Sequence, residues 1–97
     1  MDTDIIIPIY NAFDFTKKCI ETVIEHTDLT KHTLLLINDK STDQRILPLL
    51  NLFTTEYPSL NITIINNESN QGFVRTVNIG MQHSSRDVVL LNSDTEV

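Results

Sequence analysis

Asp87 to Val97 read D-V-V-L-L-N-S-D-T-E-V, and the break inside that stretch decides the fold. Val88-Val89-Leu90-Leu91 is a short unbroken apolar run of the kind buried on both faces of a parallel sheet. It stops on Asn92-Ser93-Asp94-Thr95-Glu96, all polar and two of them acids. A buried strand that ends on carboxylates puts them at the carboxyl edge of a sheet, where open α/β sheets bind ligands.

Working outward from that strand, three more apolar runs end in the same way. Asp4 to Ile9 (D-I-I-I-P-I) leads into Tyr10-Asn11, with Pro8 expected at the last pairing position or where its N–H would be free. Leu34-Leu35-Leu36-Ile37 leads into Asn38-Asp39, and Asn61 to Asn66 leads into the polar loop Asn67–Gly72. Between them lie helical patterns. Asn11 is expected to cap a helix from Ala12 to about His26, burying Phe15, Cys19, Ile20, Val23 and Ile24. Pro48 predicts a turn over Asp43–Leu47 and then a helix with the proline in its first turn, Ile46, Leu49, Leu50 and Phe53 on one face and Glu56-Tyr57-Pro58 at its end. A third helix is expected from Phe73 to about Ser84, burying Phe73, Val77 and Met81, with Ser85-Arg86 turning into the closing strand. Gly80 inside that helix predicts close packing on a strand, because glycine there costs about 1 kcal/mol against alanine. The order β-α-β-α-β-α-β calls for a Rossmann-like three-layer α/β/α domain around a four-stranded parallel sheet.

Composition narrows the function. Ninety-seven residues allow one domain. Hydrophobic content of 40 % and charged content of 21 % suit a globular chain. A net charge of −6 argues against nucleic acid or an anionic membrane as partner. A bound divalent cation would invert the local sign, so an anionic small ligand stays open. No apolar run approaches the roughly 20 residues of a membrane span, and residues 1–9 lack the features of a signal peptide. The single Cys19 lies on an apolar stripe and reads as core; with no intrachain disulfide available, a reducing, cytoplasmic setting is expected. His26, His32 and His83 show no ligand spacing, and the N-x-S/T triplets at Asn61 and Asn67 read as plain sequence.

In a parallel sheet all four strand tips share one edge. Polar tips alone are ordinary, since loops are wet. Two carboxylates there, Asp39 and Asp94, need something cationic or hydrogen-bonding between them. Four blocks then follow in order: I-I-I-P-I-Y-N at 5–11, I-N-D-K-S-T-D at 37–43, N-Q-G-F-V-R-T-V-N-I-G at 70–80 and L-L-N-S-D-T-E-V at 90–97. Together they closely resemble the N-terminal, nucleotide-sugar-binding half of family-2 glycosyltransferases, which have the GT-A fold, and the resemblance covers nearly the whole chain.

The resemblance implies a role for each matching residue. Pro8 and Tyr10 would line the base pocket, with the tyrosine ring against the nucleobase, and Asn11 in the same block is counted among the donor-binding residues. Asp39 would hydrogen-bond base or ribose. Asn70, Gly72 and Asn78 match the block that closes the pocket near ribose and diphosphate. Asp94 matches the last acid of the D-x-D motif, which holds Mg²⁺ or Mn²⁺ on the diphosphate of a UDP- or dTDP-linked sugar. A hard cation with oxygen ligands there stabilises the charge that develops on the leaving group. Asn92 stands where the motif has its first acid; it could contact ribose or a metal-bound water but adds no charge. Lys40 replaces a residue that is usually glycine, and it reads as a solvated turn lysine with phosphate contact as the alternative; Arg75 reads the same way.

In the family the acceptor-binding region and the catalytic base follow the D-x-D block. The expectation is therefore a single donor half over residues 1–97, a truncated GT-A domain with the acceptor half absent, no catalytic residue of its own and no transfer by the chain alone. Sugar, nucleoside and acceptor stay undetermined. With the closing strand paired to the first, an open sheet edge predicts association into a dimer or higher species. A non-catalytic nucleotide-binding or interaction module is the alternative. A dinucleotide dehydrogenase is disfavoured, because no G-x-G-x-x-G follows the first strand and the chain has only two glycines. A phosphoreceiver would also carry acids at strand ends, but it does not fit the four blocks.

Overall fold

The computed structural model describes residues 3–83 and 87–91, apart from the side chains of Phe73, Val74 and His83. The elements run β1 (Thr3–Ile9), α1 (Phe13–His26), β2 (Thr33–Asn38), α2 (Ile46–Glu56), β3 (Ile62–Asn66), α3 (Phe73–His83) and β4 (Asp87–Leu90). The four strands form one sheet in the order β3-β2-β1-β4, and every pairing is parallel. Strand alternation divides the core. Ile5, Ile7, Ile9, Leu34 and Leu36 pack with residues of α1 and α2 on one face. Ile6, Leu35 and Ile37 form the opposite layer, and α3 lies over Ile6 and Ile37. The expected three layers are present.

This topology follows from the crossover rule. Two successive steps in one direction, β1 to β2 to β3, keep their helices on one face. The step back from β3 to β4 reverses direction, so a crossover of the same hand must use the other face. The reversal makes the gap between β1 and β4 the switch point of the sheet.

Pro8 acts at that gap. Leu91 N–H donates to Ile6 O at 2.9 Å, while Asp39 N–H donates to Ile9 O at 2.8 Å. Backbone groups of alternate residues turn to opposite neighbours, so Pro8 faces β4 as Ile6 does. The next ladder bond would need an N–H at position 8, and proline has none. The β1–β4 pairing accordingly ends at Ile6 and Leu90, whereas β1 stays paired with β2 through Ile9. The proline sits where its N–H would be free, as its sequence position required.

α2 begins at Ile46 with Pro48 in its first turn, and Ile46, Leu49, Leu50 and Phe53 are all buried. Gly80 is also as anticipated: a Cβ there would lie 2.6 Å from Ile37 Cδ1 and 2.9 Å from Ile6 Cγ2. Four expectations need correction. In α1 the buried set is Thr16, Cys19, Ile20 and Val23, and Phe15 is 52 % exposed. Thr16 completes the i, i+3, i+4, i+7 row, which leaves Phe15 about 100° away on the flank. Its buried hydroxyl donates to Asn11 O at 3.1 Å. In α3 the ridge on the sheet is Thr76 and Gly80, flanked by Val77, and Met81 is 47 % exposed. Glycine lets the 76/80 row approach, which turns position 81 outward. The side chain of Phe73 and the turn at Ser85-Arg86 lie outside the described residues. The cap of α1 is Ala12, left-handed and without a side-chain bond, not Asn11. Finally, β4 is an edge of the described sheet: Val89 and Leu90 are exposed, one on each face, because the strand order leaves them with β1 alone.

Candidate functional site

Among the described residues, the carboxyl edge of the sheet carries a dense set of polar contacts that joins the loops after β1, β2 and β3. All three described non-glycine residues with positive φ, Asn11 (56°), Ala12 (53°) and Lys40 (56°), lie there. Such conformations cost free energy and persist where surrounding contacts fix them. The contacts are explicit. Asn11 N–H donates to Ser41 Oγ at 3.0 Å, its Nδ2 donates to Thr42 Oγ1 at 3.0 Å, and its Oδ1 accepts Asp43 N–H at 2.9 Å. The side chain expected to cap α1 instead clasps the β1–α1 loop to the β2–α2 loop. Arg45 reinforces the clasp. Its guanidinium lies 4.3 Å above the Phe13 ring and meets Asp43 at 2.8 Å, an ion pair that holds the Asp43 carboxyl below the usual carboxylate range.

The β2 tip ties in the third loop. Asn38 sits opposite Asn66 in the register; its Nδ2 donates to Asn66 Oδ1 at 3.2 Å and its Oδ1 accepts Ser41 N–H at 3.0 Å. Asp39 follows, 4 % exposed. Its Oδ1 accepts Gln71 N–H at 2.7 Å and Asn67 Nδ2 at 2.8 Å, and its Oδ2 accepts Gly72 N–H at 2.9 Å. Asn70 Nδ2 reaches the Asp39 carbonyl at 3.3 Å. Burial opposes ionisation of this carboxyl, but the bonds from Gln71 N–H, the Asn67 and Thr76 side chains and Gly72 N–H outweigh it, so Asp39 titrates below the usual range. It is a charged anchor for the backbone that enters α3. Gly72, at φ 81°, supplies the left-handed turn that brings both amides onto it.

Asp39, Asn70 and Gly72 are thus brought together in one network, and Asn11 belongs to the adjoining clasp. Tyr10, which follows β1 at the same edge, is 47 % exposed. Pro8 is buried in β1. Asn78 is exposed on α3, and its side chain joins none of these bonds. Asn92 and Asp94 lie outside the described residues. Sequence reasoning missed Ser41, Thr42, Asn67, Gln71 and Thr76. Only the strand register and the loop fold bring them to their partners, although four of the five sit inside or beside the quoted blocks. Among the described residues no three His, Cys, Asp or Glu side chains gather to hold a metal ion. Asp39 has no two further ligands of that kind gathered with it among the described residues, so these residues do not by themselves make up a divalent-cation site. A cleft of about 290 Å³ opens beside the β2 and β3 tips, lined by Asn38, Lys40, Ser41, Asp43, Leu47, Asn66 and Asn67. Among the described residues no helix is long and apolar enough to cross a membrane.

The model of the family described as glycosyl transferase family 2 matches residues 4–97. An uncharacterised glycosyltransferase of Bacillus subtilis strain 168, YwdF, is 29 % identical over 96 residues, spanning 99 % of this chain and 33 % of the relative. The chain thus spans about a third of the length of that curated relative. A mannosyltransferase of Pyrobaculum calidifontis, solved with GDP-Man and Mn²⁺, superposes with a TM-score of 0.87 at 19 % identity, over 97 % of this chain and 28 % of that one. The structure of GalNAc-T7 with UDP, GalNAc and Mn²⁺ gives 0.85 at 19 %, over 100 % and 19 %. TarS of S. aureus with UDP-GlcNAc gives 0.77 at 21 %, over 97 % and 27 %. The fold is that of the GT-A glycosyltransferases.

Proposed function

We propose that this chain, which belongs to glycosyl transferase family 2, is the donor-binding part of a glycosyltransferase that takes a nucleotide-diphospho-sugar and transfers the sugar to an acceptor hydroxyl. What supports the reading is one convergence at the switch point. An exposed Tyr10, the anchored carboxylate of Asp39 and the Asn70–Gly72 loop share the edge where Pro8 ends the β1–β4 ladder. In this reading the tyrosine ring stacks on the base. Asp39 Oδ2, which accepts Gly72 N–H, meets a donor on the base or ribose. Asn70, Gly72 and Asn78 line the ribose and diphosphate side, Asn92 contacts ribose or a metal-bound water, and Asn11 holds the neighbouring loop.

The cation of this reading, Mg²⁺ or Mn²⁺, rests on Asp94. Bound there, it would neutralise the diphosphate. Inversion at the anomeric carbon, a base for the acceptor hydroxyl outside this chain, and a cytoplasmic setting belong to the same proposal. The chain alone transfers no sugar; turnover by the purified chain would refute that part. Association of copies through the β4 edge completes it, with Val89 and Leu90 exposed there; a monomeric mass by sedimentation at high concentration would count against it.

Calorimetric titration with UDP and dTDP, with and without Mn²⁺, tests the reading. Metal-dependent binding lost in Asp94→Ala and weakened in Asp39→Ala is the expected result. Absence of binding under every condition would leave only a Rossmann-like interaction module.

A further inference from the structure

We propose that Asn67 is a positioning residue for nucleobase recognition: its side-chain amide sets the direction of the Asp39 carboxylate and so decides which base edge the site accepts. This deepens the donor-site reading and rests on it. The backbone of Asp39 is fixed by its N–H bond to Ile9 O, which leaves the carboxylate two torsions to settle. Gln71 and Gly72 give it backbone N–H groups of the 67–72 loop, a stretch with no apolar residue to pack it down. Asn67 Nδ2 is a side-chain donor beside the Thr76 hydroxyl; it donates to Asp39 Oδ1 at 2.8 Å and also to Thr76 Oγ1 at 3.2 Å. Thr76 is fully buried on the face of α3 that meets the sheet, so it is a fixed reference. Asn67 N–H is held by Asn38 O at 2.9 Å. The amide therefore spans from α3 to the β2 tip with both ends fixed, and it pins Oδ1 toward itself.

Oδ2, which takes Gly72 N–H at 2.9 Å, is then the oxygen turned away from the Asn67 amide, and a carboxylate oxygen has lone pairs for more than one donor. An ionised acceptor reads a base by the sign of the group it meets. The N3–H of uracil or thymine donates to it, whereas N3 of cytosine carries a lone pair and is repelled. The nitrogen that a glycan on the Asn67-Glu68-Ser69 triplet would occupy donates to Asp39 and Thr76.

A purely structural asparagine and a positioning one differ in what substitution does. Loss of structure weakens every nucleotide alike; loss of direction narrows the preference between bases. The chain, Asn67→Ala, Thr76→Val and Thr76→Ser are titrated with UDP and CDP by calorimetry. The unsubstituted chain should prefer UDP. Asn67→Ala should weaken UDP by about tenfold, the value of one hydrogen bond to a charged group, and narrow the UDP-to-CDP ratio. Thr76→Val should fall between, and Thr76→Ser should restore the ratio. An unchanged ratio in Asn67→Ala and Thr76→Val overturns the positioning role even if both variants melt lower. Equal or absent binding of both nucleotides by the unsubstituted chain refutes the donor-site reading instead. Amide exchange then decides the anchor itself: Gln71 and Gly72 N–H must lose protection in Asn67→Ala, and unchanged protection overturns the proposal without reference to any nucleotide.

Discussion

Gly80→Ala isolates how tightly α3 is seated on the sheet. The new Cβ would stand 2.6 Å from Ile37 Cδ1, 2.9 Å from Ile6 Cγ2 and 3.0 Å from Ile6 Cδ1, against about 3.5–4.0 Å for relaxed carbon contacts. Ile6 and Ile37 are fully buried, so neither can swing clear, and the helix must lift by about 1 Å. Overpacking of this kind costs about 1–3 kcal/mol. Alanine in place of a mid-helix glycine returns about 1 kcal/mol, so the net expectation is a loss of about 1 kcal/mol. For a domain of this size that lowers Tm by about 4–8 °C.

Ile37→Val sharpens the test, because it removes the atom in the worst contact. Alone it should cost about 0.5–1.5 kcal/mol; in the alanine background it should cost less, with a coupling of about 0.5–1 kcal/mol. Urea unfolding followed by circular dichroism measures all four corners of the cycle at common m. A Gly80→Ala chain that is about 1 kcal/mol more stable than its parent, with additive effects of Ile37→Val, would refute the close seating. The reference role given to Thr76 on the same ridge would fall with it.

Other consequences can be checked in the same assay. Lys40→Gly should stabilise by about 0.5–1 kcal/mol, since glycine adopts a φ of 56° without the Cβ penalty; UDP affinity should stay unchanged if Lys40 is only a solvated turn residue, and destabilisation would show that its side chain holds the loop. Asn11→Gly keeps the left-handed backbone but deletes the clasp and should cost about 1–2 kcal/mol, with Asn11→Ala worse by about 1 kcal/mol; equal losses would mean that conformation plays no part. The Asp39 carboxyl is held below its ordinary value, so its stabilisation is complete above the unfolded value near 3.9 and is lost as pH falls through the lower folded one. Asp39→Asn should therefore lose less stability than the parent on acidification below pH ~4, and parallel pH curves would contradict the anchor.

The alternation of apolar runs with helical stripes was legible from sequence because burial imposes a period on every element, and Pro8, Pro48 and Gly80 were legible because each has one local reason to be where it is. Phe15 and Met81 were misjudged for the opposite reason. Both are apolar and fall within one residue of the buried row, and only the seating of the helix on the sheet chooses between adjacent rows. That choice went to Thr16 and Thr76, threonines whose hydroxyls find Asn11 O and the Asn67 amide. No hydropathy pattern marks a polar residue as buried when its partner lies in another loop. Asn11 shows the same limit: a helix start suggests a cap, but a left-handed backbone turns the side chain toward Ser41–Asp43, some thirty residues on. The candidate site is thus a set of pairings fixed by register. Asn38 meets Asn66, and Asp39 meets the loop that follows Asn66, because β2 and β3 run parallel and in step. A one-residue slip of β3 would turn Asn66 to the other face of the sheet and draw Asn67 away from Asp39. The contacts that hold the strand tips in register are therefore the same ones that assemble the proposed donor pocket. Substitutions that loosen this edge should weaken nucleotide binding before they unfold the chain.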